Sequence, residues 1–233
     1  MSNLNREKRL AAMGIDVFRL RGAEPEPEPV LQPQPEPASG PDEGSPLTSD
    51  WAGLESAVSD CTLCGLSRTR TRTVFGVGNR DADLLIIGEA PGAEEDRLGE
   101  PFVGRAGSLL DLMLRAIGLD RNAVFIANIL KCRPPNNRDP RPDETSLCTP
   151  YLERQIELIA PRAVLAVGRI AAQHLLQSDQ AIGRLRGRVL SFGPAALPIV
   201  VTYHPAYLLR SPQAKAKAWH DLCLVRRLIS ESQ

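Results

Sequence analysis

Residues 84–92 read LLIIGEAPG: an unbroken apolar run, Leu84 to Ile87, that passes straight into a glycine- and proline-punctuated turn carrying Glu89. Consecutive apolar residues ending in two β-branched ones suit a strand covered on both faces, because a half-exposed strand would alternate. Three further runs share the pattern, at 124–129 (VFIANI), 163–168 (AVLAVG) and 198–203 (PIVVTY). Helical periodicity falls between and after them, at 106–118, 143–159, 169–177 and 214–229, and a short helix is expected at 49–60. The alternation predicts an α/β fold: a three-layer α/β/α sandwich around a mainly parallel four-stranded sheet. Ligands of such sheets bind beyond the carboxyl ends of the strands, so the residues following each run carry the functional information.

Four such residues stand out. Glu89 leaves the first run and heads an acidic turn with Glu94, Glu95 and Asp96. Acids repel phosphate, so this glycine turn is no phosphate cradle and suits proton handling or water positioning; Glu94 and Asp96 are expected on a solvated surface. Phe102, in PFVGRAG just before a helix, is a loop aromatic able to stack on a base or to anchor the loop beneath. Asn128 ends the second run, where an amide offers donor and acceptor together, though such a residue also caps turns. His204 follows the last run and precedes Pro205, which fixes an extended approach; His174 and His220 fall in helical patterns and are expected to be structural or solvated.

Cys61 and Cys64 form a C-x2-C pair, and Cys132 and Cys148 flank a segment rich in proline and arginine. Four thiolates hold either tetrahedral zinc or an iron–sulfur cluster, and spacing does not separate the two. Cys223, beside Leu222 and Leu224, reads as a core thiol.

The chain has 233 residues and a formal net charge of zero. That zero is composite. Residues 22–46 hold eight of the 20 prolines and six acids with no Lys or Arg, leaving +6 on the remainder. Three parts are therefore expected: a short helical arm at 1–21, a disordered Pro/Glu-rich linker at 22–48, and one domain at 49–233. No run approaches the roughly 20 apolar residues of a membrane span, and residues 1–20 lack the apolar core of a secretory signal. A cytoplasmic, nucleoid-associated monomer is expected, with the arm available to dock a repair or replication protein.

Taken in order, Cys-x2-Cys, GEAPGAEED, PFVGRAG, NILKCRPPNNRDPRP, Cys148 and TYHPAYLLR resemble the family 4 uracil-DNA glycosylases, the iron–sulfur branch of their superfamily, over about residues 61–229. The resemblance implies excision of uracil from single- or double-stranded DNA by hydrolysis of its N-glycosidic bond, leaving an abasic site in base excision repair. It implies a [4Fe-4S] cluster on Cys61, Cys64, Cys132 and Cys148, and a pocket of Glu89, Ala90, Glu95, Phe102, Asn128 and His204. Phe102 would stack on the flipped base, Asn128 read its polar edge, His204 contact O2, and Glu89 support water attack or the cationic sugar. Leu208 and Leu209 would serve as apolar wedges, with Arg210 and Lys131 on phosphates. Ala90 is small where some branches carry a bulky aromatic against thymine, and residues 134–141 lack the histidine of a branch that bonds covalently to DNA. Two other readings compete: a metal-stapled DNA-binding module without catalysis, and a glycosylase that also accepts deaminated purines.

Overall fold

The computed structural model describes residues 50–230. The arm and linker expected at 1–48 lie outside the described residues. The first helix, α1 (Trp51–Asp60), starts where Asp50 accepts a hydrogen bond from the Gly53 amide at 2.9 Å, a side-chain N-cap that satisfies one of the free donors of the first turn. Leu54 and Val58, one turn apart, are its buried residues.

Six strands form one sheet: β1 (Val77–Gly78), β2 (Leu84–Gly88), β3 (Phe125–Asn128), β4 (Ala163–Val167), β5 (Val189–Phe192) and β6 (Leu197–Thr202), in the order β1-β3-β2-β4-β6-β5. The four strands expected from the apolar runs are the parallel centre, β3-β2-β4-β6. The expected strand count of four is corrected to six, because β1 and β5 add antiparallel edges. Neither edge has a continuous apolar run: β1 is two residues long, and β5 alternates exposed and half-buried positions as a one-sided strand must.

The helices in chain order are α2 (Ala93–Leu98), α3 (Arg105–Ala116), α4 (Pro142–Ile159), α5 (Arg169–Leu175), α6 (Ile182–Leu185), α7 (Pro205–Arg210) and α8 (Lys215–Ser230). Strand periodicity splits the core in two. Leu85, Ile87, Val164, Ala166, Ile199 and Val201 pack with residues of α1, α4, α5 and α6 on one face. Leu84, Ile86, Leu165, Val167 and Val200 pack with residues of α3, α7 and α8 on the other. This is the three-layer sandwich. Chain order reverses direction around β2, with β3 on one side and β4 on the other, so a crevice opens at the carboxyl ends of these strands.

Candidate active site

That crevice is a pocket of ≈ 530 Å³ lined by residues that include Glu89, Ala90, Glu95, Phe102, Asn128 and His204. All six pocket residues expected from the sequence therefore meet in one place, although they span 116 positions of the chain, from 89 to 204. Register brings the first of them together. Gly88 pairs with Asn128, and the ladder continues beyond the strands through Ile129 N–H to Gly88 O (3.0 Å) and Leu130 N–H to Glu89 O (3.1 Å). Gly88 is also a close-approach glycine: a Cβ there would lie 2.3 Å from Asn128 Oδ1 and 2.8 Å from the Phe102 ring.

His204 caps α7, and its Nδ1 accepts the Ala206 N–H at 3.1 Å. The ring proton therefore sits on Nε2, leaving that nitrogen as a donor. Burial, with Arg210 adding repulsion, pushes the His204 pKa down to about 4, so the imidazole is neutral at ordinary pH. The Phe102 ring lies stacked against it, centroids 5.6 Å apart and planes at 29°. Burial drives Glu89 the other way: its pKa rises to about 7, with Asp139 adding to the rise and Arg169 opposing it. Asp139 is a pocket residue held by Arg169 at 3.0 Å, and Arg138, Asn137, Tyr207 and Arg210 complete the same wall and rim.

Asp139 and Arg169 escaped sequence reading because they meet only in the fold, 30 positions apart. Asp96 was expected on a solvated surface and is instead buried in α2, accepting the Thr71 N–H at 2.8 Å. Glu94 is exposed as expected, paired with Arg97. Two expected DNA contacts are corrected. Lys131 is buried, its Nζ donating to Asn128 O (2.9 Å) and Gln155 Oε1 (2.6 Å), because the loop leaving β3 turns this side chain inward. Leu208 is buried among α3 and α8 residues on the inner face of α7, whereas Leu209 and Arg210 are exposed beside it.

The four cysteines expected to bind a metal line a second, small apolar cavity with Leu66, Leu130 and Tyr151. None of the four is in a disulfide. Among the described residues no three His, Cys, Asp or Glu side chains are arranged to hold a single metal ion. The surroundings suit thiolates. Arg70 donates to Cys132 Sγ at 3.2 Å, and the Lys131 backbone N–H donates to Cys148 Sγ at 3.3 Å. Burial pushes the Cys148 thiol up to about 11 and raises Cys132 as well, against the pull of Lys131 and Arg70, and a bound cationic centre would favour their thiolates further. Lys131 and Arg70 supply positive charge matched to such a thiolate set.

A family model described as the uracil DNA glycosylase superfamily matches residues 75–223. The type-4 uracil-DNA glycosylase of Archaeoglobus fulgidus is 42% identical over 182 residues, covering 76% of this chain and 92% of that protein. The chain belongs to the type-4 uracil-DNA glycosylases. The type-4 member from Thermotoga maritima is 44% identical over 161 residues, 68% of this chain and 82% of that protein. A type-5 uracil-DNA glycosylase from Thermus thermophilus is more distant, at 34% over 120 residues, 45% of this chain and 54% of that protein. Among the described residues no helix is long and apolar enough to cross a membrane.

Proposed function

We propose that this protein excises uracil from DNA: it extrudes the nucleotide from the stack, adds water to C1′ and releases uracil, whose N1 takes the electron pair of the broken glycosidic bond. The convergence of Glu89, Phe102, Asn128 and a neutral His204 in one pocket carries the reading. Extrusion costs a few kcal/mol of stacking, which Phe102 restores in part against the uracil face. Asn128 presents donor and acceptor to the polar edge, where cytosine and uracil differ by an amino group and a carbonyl. The His204 Nε2–H donates to O2, where charge accumulates as the bond lengthens, so its hydrogen bond strengthens toward the transition state. Glu89 as carboxylate stabilises the cationic sugar and orients the attacking water. The exposed Arg210 on the rim suits a phosphate, whereas Arg138 there is held by Glu144, and the exposed Leu209 is the wedge. Incubation with a uracil-containing oligonucleotide is expected to yield alkali-labile abasic sites; absence of cleavage from metal-loaded protein would refute the reading.

Cys61, Cys64, Cys132 and Cys148 would hold a [4Fe-4S] cluster, a reading supported by the type-4 relatives and by the meeting of all four cysteines around one small cavity. The cluster would supply a structural tie, since hydrolysis transfers no electrons.

Two predictions arise here. With a pKa of about 7, Glu89 loses its charge as the pH falls through neutrality, so kcat/KM is expected to fall below about pH 7 and level off above it. His204, already neutral, adds no second limb between pH 5 and 8. The raised pKa also means that ionised Glu89 opposes folding, with stability lost as pH rises through about 7. Glu89→Gln should therefore be less active yet no less heat-stable at pH 8, checked by pH–rate profiles and thermal melts. In the second, Gly88→Ala places a methyl 2.3 Å from Asn128 Oδ1 and is expected to cut kcat/KM on the order of 100-fold, measured on the same oligonucleotide.

A further inference from the structure

We propose that Arg121 is a positioning residue for Phe102: a clamp outside the pocket that holds the base-stacking loop by its backbone. The proposal deepens, and rests on, the stacking role given to Phe102 above. Arg121 opens the 3-10 turn Arg121–Ala123 that leads into β3. Its Nη1 donates to Phe102 O (3.3 Å) and to Asp111 Oδ1 (3.1 Å), and its Nη2 donates to Pro101 O. One guanidinium thus grips two successive carbonyls of the loop and, through Asp111, the α3 helix that the loop enters. Arg121 does not line the pocket, so it acts on the base only through what it holds.

The loop needs holding. Phe102 has φ 52°, a left-handed backbone that a bulky residue adopts only when its surroundings impose it. Three contacts impose it here. Gly107 lets the α3 backbone press against the loop, since a Cβ there would lie 1.7 Å from Phe102 O. Gly88 leaves room for the ring, and the Arg121 fork fixes both carbonyls. A planar fork with diverging donors spans two carbonyls and a carboxylate at once, which a lysine ammonium does not reproduce. Released from the clamp, residue 102 relaxes toward ordinary φ, and its ring leaves the face it shares with His204 and Asn128.

A double-mutant cycle tests this. Arg121→Ala, Phe102→Ala and the double variant are compared for kcat, KM and thermal midpoint on a uracil-containing single strand. Arg121→Ala is expected to lower kcat/KM by about 10- to 100-fold in the native background. In the Phe102→Ala background it is expected to lower it no further, while the thermal midpoint shifts equally in both. Equal activity losses in the two backgrounds would overturn the clamp and leave Arg121 a stabilising residue only. Full activity of Phe102→Ala alone would overturn the stacking role, and the clamp with it. If Arg121→Ala does not fold, the cycle is run with Arg121→Lys, which keeps the Asp111 charge pair but not the fork; the same two outcomes decide.

Discussion

His204→Ala is expected to lower kcat by about 10²–10³-fold while changing KM little. The asymmetry follows from where charge develops. Ground-state uracil places only a carbonyl dipole on Nε2, whereas the departing base carries a full negative charge, and a fixed donor is worth more against the second. Fixity is a property of this fold: Nδ1 is occupied by the Ala206 amide, and β6, paired with β4 as far as Thr202, delivers the residue. Because the ring is half-buried and neutral, no proton has to be added or lost before it acts. Steady-state kinetics on a uracil oligonucleotide give the split; a variant whose KM rises while kcat holds would assign His204 to binding instead.

Cys132→Ser is expected to remove the visible absorption of an iron–sulfur protein, lower the thermal midpoint and abolish excision together. Cys132 follows directly on Lys131, whose ammonium is buried without a carboxylate partner among the described residues. With thiolate charge nearby, that cation is compensated. Burial already pulls the Lys131 pKa down to about 8, with the charges of Cys148 and Cys132 opposing it, so loss of a thiolate-bound centre would remove what keeps the ammonium charged and would lower stability. The effect reaches the pocket by two routes: Lys131 is bonded to the Asn128 carbonyl, and the segment between Cys132 and Cys148 contributes Pro134, Asn137, Arg138 and Asp139 to the pocket wall. Iron analysis, visible spectra and thermal melts check this; a colourless native protein carrying stoichiometric zinc would overturn the cluster.

The central strands were readable because burial on both faces leaves an unmistakable apolar run, as in LLIIG. Glu89, Asn128 and His204 were readable as residues of one pocket because each leaves such a run at its carboxyl end, where ligands of a parallel sheet bind. What escaped depends on partners distant in sequence. Lys131 looks like any loop cation until Gln155, 24 positions on, is found against it. Leu208 and Leu209 are adjacent and chemically identical, yet α7 turns one into the core and the other to solvent. Asp96 sits among three other nearby acids and is drawn inward by the Thr71 and Arg72 amides, which come from a segment 24 to 25 positions earlier. The edge strands β1 and β5 lacked any apolar run because one side of each needs none.

The pocket takes Glu89 from the turn after β2, Asn128 from the end of β3 and His204 from the turn after β6, each on its own segment, while the strand interiors supply only packing. Frame and tips are thus separable inheritances. A lineage can exchange the residues of one tip, and with them the base it accepts, without re-solving the folding problem; the two-sided core beneath gives such experiments somewhere stable to stand.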